Sequence, residues 1–302
     1  MGSVVTLVLW TALHKQLSNL FKPYITGAVV MALGLSLCSV GINYCAGGVG
    51  AADYGDPINL LLAFGTIMIM LALNHYGKRS FLAKASPLIA ILVMSGLAAV
   101  FGKLDLSGIG AEAWVRVPQP LHFGIRFELG PIITISVLSF IALVELMGDQ
   151  ASASMLAQDR LPSDQESRGG ILAQGLTSVV ASLFNMVPTI SGSANIGLCG
   201  LSGVSSRFVI VGTGAVVVLC SLCPKLCAVF AAIPEPVLGG VALSAFGTIL
   251  VSGMNVIRSS RLTPRTTTIV GVSLAVGVGF SMVADALAAF PFCCLLYTSP
   301  SP

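Results

Sequence analysis

Residues 184–207 read FNMVPTISGSANIGLCGLSGVSSR. Pro188, Gly192, Gly197, Gly200 and Gly203 make a poor continuous helix. Thr189, Ser191, Ser193 and Asn195 place polar side chains at every second position, which is a strand period and not a helix period. The stretch therefore predicts a short extended strand followed by a half-helix starting near Asn195. Irregular backbone at membrane depth survives only where protein buries it or where it lines a cavity. The half-helix N-terminus would then offer free N–H groups and a positive dipole end to a polar or anionic ligand.

Working outward, the stretch from Pro131 to Ala157 carries two charges only, Glu145 and Asp149. A charged acid at the bilayer centre costs roughly 2.5–3.5 kcal/mol on insertion scales. Such a residue should face the protein interior or a wet cavity. Asp149 lies one helical turn beyond Glu145, so both acids share a face, and Gly148 keeps the helix narrow there. Two adjacent carboxylates of this kind can hold a proton or accept a hydrogen bond from a substrate N–H.

The whole chain sets the solvent. Of 302 residues, 55% are hydrophobic and 9% charged, against about 25% charged in a soluble domain. Lipid surrounds most of it. The net charge of +3 is thinly spread, with no basic block to grip nucleic acid. Cys220, Cys223 and Cys227 have metal-like spacing but sit in the apolar run VVVLCSLCPKLC with no His beside them. They read as small packing residues, and no metal or cofactor is expected. No nucleophile–base pair is visible, so an enzyme is not expected.

A span across ~30 Å of hydrocarbon needs roughly 20 apolar residues. Spans are expected at 24–45, 58–74, 85–102, 131–157, 170–187, 208–232, 237–256 and 267–288, with a broken ninth at 189–206. The run Val4–Leu13 is too short to cross. Alternating the spans places Lys15, Lys22, Lys78, Arg79, Lys84, Arg160, Arg168, Arg207, Arg258, Arg261 and Arg265 on one side. Lys103, Arg116, Arg126 and Lys225 fall on the other. The richer side is cytoplasmic by the positive-inside rule. A weak repeat also appears: PYITGAVVMALG (Pro23, Gly27, Gly34) and PVLGGVALSAFG (Pro236, Gly240, Gly247) both read P-x3-G-x6-G. The layout runs the two in opposite directions, the mark of an inverted-repeat transporter.

ELMGDQASAS (145–154) resembles the E-x-x-G-D segment of nucleobase–ascorbate transporters, the nucleobase:cation symporter-2 family. ANIGLCGLSGVSSR (194–207) resembles their signature, in which Gln or Glu precedes N-x-G-x4-T. KPYITGAVVMALGLSL and PKLCAVFAAIPEPVLGGVALSAFG look like further family segments. The resemblance implies an all-α polytopic membrane protein, part of a fold of two inverted repeats of seven segments. It implies that Val4–Leu13 ends segment four and that 267–288 is segment thirteen. The earlier segments and the last would lie outside this chain.

On that map, 1–22 is the end of a span and a loop, and 23–103 holds gate helices. An external loop covers 104–130, core helices 131–232, and further gate helices 233–292. The tail CCLLYTSPSP (293–302) reads as non-native. The implied function is import of a purine or pyrimidine base such as xanthine, urate or uracil. The driving ion would be H+, with Na+ as the alternative. Glu145 would bind the base, and Asp149 would tune it or carry the proton. The backbone of Ser193, Ala194, Asn195 and Gly197 would meet the base edge, with Asn195 shaping the broken segment. Two departures stand out: Ala194 replaces the usual Gln or Glu, and Ser202 replaces the usual Thr. The expected partners are the nucleobase and the lipid of a plasma (inner) membrane, with a homodimer left open and no nucleic acid. The rival readings are a sulfate-permease-like anion carrier of the same architecture, against which Glu145 argues, and a passive channel, against which the clustering of polar residues argues.

Overall fold

The structure is a computed structural model that describes residues 22–76, 81–104, 106–116, 118–121, 124, 129–184, 186, 189–258 and 262–283. The expectations for Val4–Leu13 and for the tail at 293–302 lie outside the described residues. The described chain is helical, in the order α1 (Pro23–Cys45), α2 (Pro57–Tyr76), α3 (Phe81–Lys84), α4 (Ser86–Val100), a 3-10 turn (Ser107–Ala111), α5 (Leu129–Gln158), α6 (Asp164–Leu183), α7 (Ser193–Ser202), α8 (Arg207–Ser221), α9 (Pro224–Ala231), α10 (Glu235–Arg258) and α11 (Pro264–Met282).

Local sequence starts these helices where they start. Pro opens α1, α4, α9 and α11, where its missing N–H removes nothing the helix would use. Ser163 and Glu166 form a capping box at the head of α6, and Thr263 and Thr266 do the same for α11. Tyr24–Cys45, Pro57–Tyr76 and Glu235–Arg258 are long and apolar enough to cross a membrane. Large apolar side chains stand outward, as lipid-facing surface would: on α8, Phe208, Val211 and Leu219 are each at least two-thirds exposed.

One expected span is not a single helix. The run 208–232 divides into α8 and α9, which meet at 106°. Pro224 is the cause. It forces Cys223 out of the helical region, to φ −114°, ψ 93°, and it cannot donate to the turn before it.

The scaffold that positions everything else is the pair α1 and α10. A Cβ added at Gly27 would lie 2.6 Å from Ile257 Cγ1 and 2.9 Å from the Gly253 carbonyl oxygen. One at Gly34 would lie 3.0 Å from the Leu250 nitrogen, and one at Gly41 would lie 3.3 Å from Leu243. One at Gly239 would lie 2.5 Å from the Cys45 nitrogen. Partners descend from 257 to 239 as α1 ascends from 27 to 45, so the helices are antiparallel in constant register. The two segments that share the P-x3-G-x6-G pattern thus lie side by side in opposite directions. Their glycines do not play equal parts. Gly27 and Gly34 face α10, whereas Gly240 faces α2 at Ala63 and Thr66, and a Cβ at Gly247 would meet nothing within 4 Å.

Around this pair the core is a set of small clusters. Val30, Phe246 and Ile249 join α1 to α10. Leu62, Met94, Ala98 and Val237 join α2, α4 and α10. Leu143, Leu146 and Ile171 join α5 to α6. The loop between α1 and α2 is pinned by Lys103, whose Nζ lies 2.5 Å from Asp53 Oδ2 and 2.9 Å from Asp56 Oδ2. Hydrogen bonds from the Lys103 ammonium hold both carboxyls below their ordinary range.

Candidate functional site

The broken segment is present. α6 ends at Leu183, residues 189–192 are not helical, and α7 begins at Ser193. Two details differ from the sequence reading. No strand occurs among the described residues, because the extended piece has no neighbouring strand to pair with. The half-helix begins at Ser193 and not at Asn195, because Gly192 takes the cap position and its carbonyl accepts from the Asn195 amide at 2.9 Å. α7 stops at Gly203, whose φ of +65° is the left-handed cap that glycine adopts without strain, with its amide donating to the Cys199 carbonyl.

The two-residue period of the extended piece has a direct structural meaning. Thr189, Ser191 and Ser193 turn inward to hydrogen-bond partners, while Ile190 between them is 65% exposed. Ser191 Oγ donates to Asp149 Oδ2. Ser193 Oγ lies 2.8 Å from Asp149 Oδ1, 2.9 Å from Oδ2 and 3.3 Å from Glu145 Oε1. Asp149 is buried, and so is Ser193. The acids come from α5, a helix of 30 residues that would be roughly 45 Å long. Gly148 lets that helix approach α1, since a Cβ there would lie 3.1 Å from Val30 Cγ2. The N-terminal end of α7 thus meets a pair of carboxyls, the sign of charge that a helix N-terminus favours.

The hydroxyl bookkeeping distinguishes the two acids. Both serine hydroxyls make their shortest contacts with Asp149. Glu145 is reached only by the longest of the Ser193 contacts, and among the described residues its Oε2 accepts no hydrogen bond. Ser193 has one proton and three carboxyl oxygens within reach. A proton on either carboxyl can therefore be donated back to Ser193 Oγ, so the cluster has a place for one more proton than it needs to hold together.

The remaining predicted residues lie elsewhere on α7. Ala194 packs against the α1–α10 cluster of Val30, Phe246 and Ile249. Gly197 is buried, and a Cβ there would strike the Ala245 carbonyl of α10. Asn195 is exposed and its side-chain amide lies over Gly192. The structure therefore brings Glu145, Asp149 and Ser193 together and turns Ala194 and Gly197 towards the scaffold. Sequence reasoning had not placed Ser191 among the binding residues. The alternation through Thr189, Ser191 and Ser193 carried the signal, because a strand period that brings Ser193 inward brings Ser191 inward too.

A separate cavity of about 1460 Å³ is lined by Lys103, Glu112, Arg116, Phe184, Cys227 and Pro234, among others. It contains none of the acid–serine cluster and exceeds the size that encloses one small ligand. Lys225 stands 4.3 Å over the Trp114 ring, beside Arg116 in sequence, and the Arg116 amide donates to Leu222 at the α8–α9 bend. Three of the four basic residues assigned to the non-cytoplasmic side thus lie on the loop, helix end and bend that surround this cavity. Among the described residues no group of three His, Cys, Asp or Glu side chains could hold a metal ion.

The sequence matches a family model described as "Permease family" over residues 1–286. It is 33% identical over 300 residues to the xanthine permease of Bacillus subtilis (strain 168), covering 99% of this chain and 68% of that protein. It is 32% identical to uric acid permease PucJ of the same organism, covering 96% and 67%. It is 30% identical to uric acid transporter UacT of Escherichia coli (strain K12), covering 93% and 58%. The chain therefore spans about two thirds or less of the length of these relatives. With the apolar helices and a match across nearly all of its residues, this chain belongs to the permease family, whose members are membrane transporters and not enzymes.

Proposed function

We propose that the protein is a secondary active transporter of nucleobases in the plasma membrane, taking a purine such as xanthine or urate, or a pyrimidine such as uracil, by symport with H+. The observation that carries this reading is the Glu145–Asp149 pair held at the head of α7 by Ser191 and Ser193. A nucleobase presents N–H donors and carbonyl acceptors on one flat edge. Glu145, with an oxygen that no described residue engages, accepts the N–H. The amides of Ser193 and Ala194 precede the first hydrogen bond of α7, from Asn195 to Gly192, and face the acceptors of the same edge. Asp149, held by two hydroxyls, keeps the cluster in shape and shares the coupling proton through Ser193 Oγ. Na+ coupling is the alternative, and a homodimer would be compatible with the exposed apolar faces.

The relatives support the substrate class, since those compared are xanthine and uric acid transporters by name. An anion carrier of sulfate type fits poorly, because sulfate brings no N–H donor for the two carboxyls at the helix head. The helices of 131–232 would form the moving core and those of 23–103 and 233–292 the gate, with α7 as the element in contact with both. The test is uptake of labelled xanthine, urate and uracil into cells expressing the protein, with mutual competition and with the proton gradient collapsed. Saturable uptake of at least one base that stops when the gradient is removed is expected. Uptake indifferent to the proton gradient would end the H+ symport reading, and uptake of sulfate in preference to any base would end the substrate reading.

A further inference from the structure

The extended piece 189–192 has the difficulty of all irregular backbone at membrane depth: ahead of Gly192, whose carbonyl accepts from α7, its carbonyls have no ladder or helix to bond. At Thr189 the donors come from a different helix. Gln174 Nε2 donates to the Thr189 carbonyl at 2.8 Å, and Ser178 Oγ approaches the same oxygen at 3.3 Å. Ser178 Oγ also lies 3.0 Å from Thr189 Oγ1, so the two hydroxyls share a hydrogen bond. Gln174 and Ser178 are one turn apart on α6 and face inward together, and Ser178 is buried. They stand in ILAQGLTSVVASL, which is otherwise mostly apolar. α6 is in turn fixed to α5 through Ile171, Leu143 and Leu146, the last of these adjacent to Glu145 in sequence. The helix that carries the acids therefore also holds, through α6, the segment that brings the serines to them.

We infer that Gln174 and Ser178 are positioning residues: they clamp Thr189 so that Ser191 and Ser193, two and four residues on, reach Asp149 and Glu145. Neither residue touches the acids. Their effect passes through the backbone of 189–193, where the two-residue period converts a fixed Thr189 into a fixed inward direction for both serines. This inference rests on the transport reading for its consequence but not for its geometry.

The test uses the protein purified from expression of its gene, with Gln174→Leu, Ser178→Ala and, as a control on the same helix, Ser182→Ala. Among the described residues Ser182 Oγ donates to the Ser178 carbonyl of its own helix alone. Amide hydrogen exchange is followed across residues 190–195 and across α10. Gln174→Leu should speed exchange in 190–195 about tenfold, and Ser178→Ala somewhat less, with α10 unchanged and Ser182→Ala like the parent. In uptake, the first two variants should raise KM about tenfold while Vmax per molecule in the membrane is retained. Unchanged exchange in 190–195 would overturn the clamp, and so would an unchanged KM with Vmax falling in both variants. If exchange responds as expected but the parent protein carries no nucleobase, the clamp stands and the transport reading falls.

Discussion

The seam between α1 and α10 and the junction between α5 and α7 both bring two segments into close contact, by opposite means. At the seam, side chains are missing: Gly27 and Gly253 face each other so closely that a Cβ on either would come within 3.0 Å of the other's carbonyl oxygen. At the junction, side chains make the contact, through Ser191 and Ser193 on one side and Asp149 and Glu145 on the other. The first arrangement has one geometry and no chemistry. The second has hydrogen bonds that can be redistributed by a proton or displaced by a ligand. A transporter needs both, a fixed part and a part whose partners can change.

The comparison breaks most severely at Glu145. Glu145→Gln keeps the shape and removes the charge, so uptake should fall by about 10- to 100-fold, the scale of a lost hydrogen bond to a charged group. The amount of protein in the membrane should stay near that of the parent. Normal uptake at normal expression would make Glu145 a structural residue and remove the distinction.

Next is the seam. Gly27→Leu or Gly253→Leu inserts atoms where backbone already stands, and overpacking of this kind costs about 1–3 kcal/mol. The expected sign is a lower thermal midpoint for the purified protein and less of it in the membrane, with KM of the surviving molecules unchanged. The same substitution at Gly247, where a Cβ would meet nothing within 4 Å, should be tolerated. Equal damage at 27 and 247 would show that glycine spacing, and not the observed contact, sets the cost.

The two serines sharpen the junction. Ser193→Ala removes the hydroxyl shared by both acids, and Ser191→Ala removes one that serves Asp149 alone. Both should raise KM, Ser193→Ala by about tenfold and Ser191→Ala by less. The pH at which uptake is half-maximal should move in Ser193→Ala only. An identical shift in both would mean that Glu145 and Asp149 do not exchange a proton through Ser193.

The smallest effect lies outside both regions. Glu166 at the head of α6 is drawn down to about 2, first by its bidentate ion pair with Arg160 and then by its capping bonds with Ser163. A carboxyl lowered on folding stabilises the folded state above its ordinary pKa, and that contribution is lost as pH falls towards the folded value. The pair is exposed, so the effect is small. The thermal midpoint of Arg160→Ala should lie slightly below that of the parent at pH 7, and the gap should narrow as pH falls from about 5 to 3. A gap as wide at pH 3 as at pH 7 would assign the effect to packing.

Much of the junction was legible because burial constrains it chemically. Glu145 and Asp149 stand alone in an apolar stretch, and an isolated acid there must face something polar. Thr189, Ser191 and Ser193 alternate, which sets their common direction before any partner is known. The resemblance of 194–207 to the family signature is what assigned Asn195 and Gly197 to the same site. In the structure Gly197 is buried against Ala245 of α10, and the Asn195 side chain lies over Gly192. Gln174 and Ser178 escaped notice because their target is a backbone carbonyl, which every residue has and no sequence pattern announces.

What the sequence determined by itself is the solvent, the approximate limits of the long helices, the break ahead of the half-helix at Ser193 and the face shared by the two acids. Each follows from local chemistry: transfer of side chains into lipid, the missing N–H of proline, and the 3.6-residue period. The tertiary structure alone decided that α1 lies antiparallel on α10 with Gly27 at Gly253. It also decided that Asp149 meets both serine hydroxyls whereas Glu145 meets that of Ser193 alone, and that α6 supplies the donors for Thr189. These are contacts between residues tens to hundreds of positions apart, and they depend on which helix faces fit closest, a property that belongs to the packed chain and to no segment of it.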